Sequence, residues 1–149
     1  MSNRITFHKV YPAGYKTLLE FSKAVNQSGL DEHTQELIKL RSSQINSCVF
    51  CLDNHLTAAR KLGFTDQQLM TLSAWDESPF FTDEQKTVLA LTDAMTSIAD
   101  GGVPDEVYDD ALELLGEEGL AKAMMTICLI NTWNRLMAAT QAVPASYKP

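Results

Sequence analysis

No uninterrupted apolar run in this chain of 149 residues approaches the ~18–20 residues needed to cross a bilayer. Residues 1–10 are polar and mixed, without the basic start and apolar stretch of a secretory signal. The expected setting is therefore cytoplasmic and reducing. Basic residues are the minority: 12 Lys and Arg stand against 19 Asp and Glu, giving a formal net charge of −7. An acidic surface repels nucleic acid and anionic membranes, so neither is expected as a partner. Cysteine is scarce. An odd set of three, Cys48, Cys51 and Cys128, excludes a disulfide scaffold. No second CxxC or histidine pair accompanies Cys48, Cys51 and His55, which argues against a closed four-ligand zinc site. Alternation of apolar and polar residues never persists long enough for a strand. Low-complexity segments and domain linkers are also lacking, so residues 1–149 read as one domain with a tail at about 143–149.

What is present is helix. A hydrophobic content of 45% beside 21% charged residues can fill a core. Leu18, Leu19, Phe21 and Val25 mark a helix over 13–27, stopped by Gly29. Asp31 can cap a second helix running to about Ile45. A third starts near Ser47 and ends at Gly63, a suitable residue just beyond a helix. Thr65–Gln68 and Thr82–Gln85 are capping boxes, opening a short helix and a longer one to about Ala99. A loop with Pro79 separates them. Residues 100–104 form a turn with Pro104 at the first helical position, followed by helices to Leu115 and over 117–140. Pro144 bars extension. The fold class is all-α, with about six to seven helices.

The last helix carries Leu120, Met124, Met125, Ile127, Cys128, Leu129, Ile130, Trp133, Leu136 and Met137 around most of its circumference. It is either the central helix of the monomer or in part a contact with another subunit, and Phe50 on the third helix is a further candidate for that contact. Cys128 and the methionines read as packing residues, Trp75 and Trp133 as packing anchors, and His8 and His33 as surface residues. Asn134 and Arg135 interrupt the apolar helix and need partners, as a structural cap or an interface contact. Arg41, in mid-stripe, is expected to pair with a buried acid.

One constellation carries chemistry. Cys48, Cys51 and His55 are spaced by three and four residues, so they share one face of a helix with Leu52, Ala59 and Leu62. That face turns toward the core and suggests a partly buried pocket. A helix start favours a thiolate, a second thiol can close a disulfide, and His55 can relay a proton. Burial raises a thiol pKa, so a base is needed. Glu36, on the preceding helix, is a candidate that a tight turn at Asn46–Ser47 would fold back toward the dithiol. Spacing alone does not place it at the site, and a carboxylate on a helix is usually just solvated.

The stretch from Glu36 through Cys48-Val49-Phe50-Cys51 to His55 closely resembles the core of AhpD-like alkylhydroperoxidases, of the carboxymuconolactone decarboxylase-like superfamily. The family pattern of a Glu, eleven residues, Cys-x-x-Cys, three residues and His is matched without a gap. The likeness extends through 59–63, 72–84 and 131–135. It implies an AhpD-like helical bundle and a homo-oligomer built from dimers into trimers or hexamers. It also implies thiol-dependent reduction of a small hydroperoxide, with no cofactor beyond the redox-active cysteine pair and an external dithiol reductant, a protein or a lipoyl domain. By that resemblance Cys51 attacks the peroxide, Cys48 resolves, and Glu36 and His55 relay the proton. A helix-terminus argument alone would favour Cys48 as the more acidic thiol. Two other functions remain open: a lactone decarboxylase of the same superfamily, which needs no dithiol, and a non-enzymatic redox-sensing oligomeric module.

Overall fold

The computed structural model describes residues 4–148, so Met1–Asn3 and the last residue of the expected tail lie outside the described residues. The helices are α1 (Phe7–Val10), α2 (Pro12–Asn26), α3 (Glu32–Ile45), α4 (Val49–Lys61), α5 (Asp66–Thr71), α6 (Asp83–Thr96) and α7 (Asp105–Thr140), with short 3₁₀ turns at Leu72–Ala74 and Ile98–Asp100. No strand occurs among the described residues, and none of their helices is long and apolar enough to cross a membrane. The helix α1, with no buried residue, was not expected from the sequence.

Helix starts follow the side-chain chemistry. The Asp31 carboxylate accepts the Thr34 N–H, capping α3. Thr65 with Gln68, and Thr82 with Gln85, form reciprocal capping boxes at α5 and α6. These satisfy N–H groups that have no partner within the helix. Pro104 departs from expectation: with φ −61° and ψ 144° it stands just before α7, as its cap residue, rather than inside it. The two helices expected over the last third of the chain run on as the two stretches of α7, joined at a kink where Gly116 leaves helical backbone (φ 66°, ψ 171°).

The central helix is α3, not the last one. It packs on α4, α6 and α7, while α2 lies along α7. Its buried set includes Leu37, Ile38 and Leu40, and also Gln35, Glu36, Lys39, Ser42 and Ser43. A helix surrounded on all sides buries whatever polar residues it carries, and those must find partners. Every buried side-chain nitrogen and oxygen among the described residues has one. The second stretch of α7 is buried along Leu120, Ala123, Thr126, Ile127, Leu129, Ile130 and Asn134. Its opposite side is open: Met125 is half exposed and Cys128 is exposed, so Cys128 is not the packing residue its neighbours suggested. Arg41 finds its acid in Asp93 of α6, with both guanidinium–carboxylate contacts at 2.7 Å, and the Trp75 indole N–H adds a third at 3.1 Å. The segment after α7 is largely exposed, as a tail should be, yet the Ser146 hydroxyl donates to Asp53 on α4.

Candidate active site

The turn between α3 and α4 sets the site. Asn46 ends α3, and Ser47 takes a left-handed φ of 51°. Its N–H donates to the Gln44 carbonyl, and that of Cys48 to the Ser43 carbonyl. The chain thus reverses within two residues and lays α4 against α3. Cys48 is the N-cap of α4, and its sulfur accepts the Cys51 N–H at 3.4 Å. The two sulfurs, both free thiols, lie 2.6 Å apart and are buried, with 1% and 3% of each residue exposed.

The same reversal brings Glu36 to His55, across the α3–α4 contact. Glu36 Oε2 lies 2.7 Å from His55 Nδ1, and Oε1 accepts from Lys39 Nζ at 2.9 Å. Lys39 is 7% exposed and also donates to Asn26 Oδ1 of α2 at 3.0 Å. Burial alone would push the Glu36 carboxyl up, but the hydrogen bond and charge of His55, joined by those of Lys39, hold it below its ordinary 4.5. Glu36 is therefore a carboxylate at neutral pH. Its hold on Nδ1 leaves Nε2 as the ring nitrogen of His55 that can exchange a proton. The Cys51 thiol goes the other way. Burial and the adjacent Cys48 thiol push it up to about 12, against a lowering contribution from a hydrogen bond with Asn134 and one from its own backbone.

A cavity of about 870 Å³ opens beside these groups, with Cys51, His55 and Lys39 on its wall. Phe50, Trp133 and Met137 supply apolar lining, and Phe50 also packs against the core. The chain ends complete the wall, through Ile5 and Phe7 on one side and Val143 on the other. Trp133 anchors this side as expected: its indole N–H donates to Ser22 Oγ at 3.0 Å, and Tyr15 meets it edge-on at 6.0 Å. His8 and His33 are exposed; His33 stacks on Phe64 at 5.3 Å.

All four residues singled out in the sequence, Glu36, Cys48, Cys51 and His55, converge here. Lys39 was missed. The available signal was its place between Ile38 and Leu40, three residues after Glu36, inside an apolar stripe. Asn134 was read as a cap or interface residue; it is fully buried and faces α3, donating to Ser43 Oγ at 3.0 Å.

A family model for the carboxymuconolactone decarboxylase family matches residues 12–94. The chain belongs to that family. It is also 40% identical to the uncharacterised protein YdfG of Bacillus subtilis, over 93% of this chain and 95% of that one. In three dimensions it matches a protein of unknown function from Agrobacterium tumefaciens, suggested to be an AhpD antioxidant defence protein. That match has a TM-score of 0.94 and 34% identity, over 98% of this chain and 100% of the other. A peroxidase-related protein from Silicibacter sp. TM1040 matches with a TM-score of 0.78 and 20% identity, over 88% of this chain and 70% of that one, a likeness of fold alone. The chain is thus a member of the carboxymuconolactone decarboxylase family with an AhpD-like, all-helical fold.

Proposed function

We propose that the protein reduces organic hydroperoxides with the Cys48–Cys51 dithiol. The observation that carries this reading is the pair of free, buried sulfurs 2.6 Å apart beside a cavity that His55 also lines, with Glu36 bonded to that histidine. A cavity of 870 Å³ exceeds what hydrogen peroxide needs and matches a drug-sized organic molecule.

A thiol held near 12 is idle at neutral pH unless its proton is taken by a neighbour. His55, four residues on along α4, is that neighbour. Glu36 fixes its Nδ1–H, and Nε2 accepts the Cys51 proton. The Cys51 thiolate then gives an electron pair to the terminal peroxide oxygen. The O–O bond breaks, Cys51 becomes a sulfenic acid, and the alkoxide leaves with the proton returned by His55. Cys48 attacks the sulfenic sulfur, water departs, and a disulfide closes with small movement of either sulfur. An external dithiol, delivered as a protein or lipoyl domain, restores both thiols by exchange. Glu36 in this sequence of steps is an orienting carboxylate, and Lys39 occupies its second oxygen.

The test is steady-state consumption of cumene hydroperoxide with a dithiol reductant, alongside intact-mass measurement after mild oxidation. Turnover, with a reversible loss of two hydrogens, is the expected result. Thiols that stay free in excess peroxide while the fold survives would sink the reading. A disulfide that forms without turnover would favour a redox-sensing module instead.

A further inference from the structure

Those steps give Lys39 nothing to do but occupy an oxygen, yet it is a buried cation on the cavity wall, 7% exposed. Its ammonium faces three acceptors: Glu36 Oε1 at 2.9 Å, Asn26 Oδ1 at 3.0 Å and, more distantly, Gln35 Oε1 at 3.4 Å. An ammonium has three hydrogens and accepts nothing, so each amide must turn its oxygen toward it. Gln35 gives a check, because its Nε2 is held by the Leu30 carbonyl at 2.9 Å. Asn26 stands on α2 and Glu36 on α3, so Lys39 is gripped from two helices. Of the three acceptors only Glu36 is charged. The same carboxylate holds His55 Nδ1 at 2.7 Å with its other oxygen.

A buried carboxylate needs a positive partner. Two groups in contact with Glu36 can be that partner, Lys39 and a protonated His55. Without Lys39 the imidazole would be held as imidazolium, and an imidazolium, with both nitrogens donating, has no lone pair with which to take a proton. With Lys39 in place Glu36 is already balanced. A second cation would then leave an excess positive charge in a buried cluster, so His55 stays neutral until Cys51 supplies the proton. The transfer preserves the balance, since it adds one imidazolium and one thiolate to one ammonium and one carboxylate.

We propose that Lys39 is a positioning residue: tethered to α2 by Asn26, it supplies the counter-charge of Glu36 and so leaves His55 neutral and able to take the Cys51 proton. This inference rests on the dithiol reading above and deepens it. The other titratable groups around the cluster are the same in every comparison below. Arg4 and His8 face the cavity from the start of the chain, Tyr15 from α2, and Cys51 from α4 with Cys48 buried beside it. The α7 residues on the wall, among them Ile130 and Met137, are uncharged. Arg41, the next cation along α3, is turned to Asp93 of α6.

The experiment measures iodoacetamide alkylation against pH, reading the Cys51 peptide by mass spectrometry in a Cys128→Ser background, since Cys128 is exposed. Nitrogen NMR of the imidazole rings follows His55 in parallel, its signals identified by their loss in His55→Gln. Lys39→Met keeps length and removes the charge. A charge at this range moves a titration by about one pH unit or more. The His55 imidazolium should therefore persist to higher pH in Lys39→Met, and on the rising limb Cys51 alkylation should be about tenfold slower at a given pH. Lys39→Arg restores the charge and should recover most of the rate. A folded Lys39→Met protein with the wild-type profile overturns the proposal, and so does a folded Lys39→Arg as slow as Lys39→Met, which would assign the effect to packing. Asn26 is exposed, so Asn26→Asp should leave the fold intact. Its added carboxylate draws on the Lys39 charge and should move the profile the same way by a smaller amount. If Lys39→Met does not fold, an unchanged profile in Asn26→Asp overturns the proposal. Peroxide is absent from this measurement. A protein that consumes no hydroperoxide yet shows these shifts would refute the peroxidase reading and leave the role of Lys39 standing.

Discussion

Glu36 shares its two oxygens between His55 and Lys39, and this division decides what the carboxylate can do. A buried carboxyl next to one proton donor could serve as a base near neutral pH. Held below 4.5 between two donors, it stays ionised and acts by orienting the imidazole. Glu36→Gln keeps the shape but can put an N–H against one of these donors. Alkylation of Cys51 should then fall by ~10²-fold or more, the scale of lost acid–base assistance. A wild-type rate and pH profile in this variant would reduce Glu36 to a structural residue. The same carboxyl contributes to acid stability, with a definite sign. Its folded pKa lies below the unfolded value, so its contribution is full above about 4.5 and is lost as pH falls through the depressed folded value. Chemical denaturation from pH 6 down to 3 should show wild type losing stability through a step that Glu36→Gln lacks. Parallel curves would contradict this. The quartet could be read from the sequence only through the family pattern of Glu, eleven residues, Cys-x-x-Cys, three residues and His, because spacing alone does not say how two helices joined by a two-residue turn cross. Lys39 could not, because a lysine between two apolar residues reads as a side chain reaching for water. Its burial is tolerable because the Glu36 carboxylate pairs with its charge and Asn26 of α2 supplies a further acceptor.

At the scale of elements, capping chemistry was the most legible signal: both capping boxes form where Thr and Gln stand three apart. Such local rules act within four residues and need no knowledge of the rest of the fold. The apolar breadth of the last helix was misleading for the opposite reason. Composition reports how much apolar surface a helix has, but not which neighbour covers it, and the central place went to α3, whose sequence is the more polar. The break before Glu117 was legible because Gly116 follows Leu114-Leu115. The structure gives it φ 66° and ψ 171°, backbone that essentially only glycine adopts. A Cβ built at Gly116 would meet nothing within 4 Å. Gly116→Ala therefore isolates backbone strain from crowding, and should cost about 1–3 kcal/mol. Thermal unfolding should shift down by several degrees, while Cys51 alkylation in the folded protein stays at the wild-type rate. An unchanged melting temperature would mean that α7 straightens without penalty.

For the whole molecule, the same long helix has two faces with different work to do. One carries Ile130 and Met137 into the core and the cavity and buries Asn134 against α3. The other presents Ala121, Met125, Cys128 and Thr132 to solvent, at spacings of four, three and four that align them in one stripe. None of these side chains is charged, in a protein whose exposed surface is otherwise strongly acidic, so the stripe is where two copies could approach without repulsion between carboxylates. We expect a homo-oligomer assembled across it. Light scattering at micromolar concentration should give a multiple of the 16.5 kDa chain mass. Met125→Lys would place a cation at the middle of the stripe and should shift the distribution toward monomer, leaving the far-ultraviolet circular dichroism of the helices unchanged. Cys128→Ser, a change of similar size without new charge, should leave the mass as it is. Because Cys51 and the cavity lie on the opposite face, alkylation of Cys51 by a small reagent should be equally fast in the Met125→Lys monomer. A wild-type mass of 16.5 kDa would contradict the expected assembly, and an oligomer indifferent to Met125→Lys would locate the contact elsewhere on the molecule.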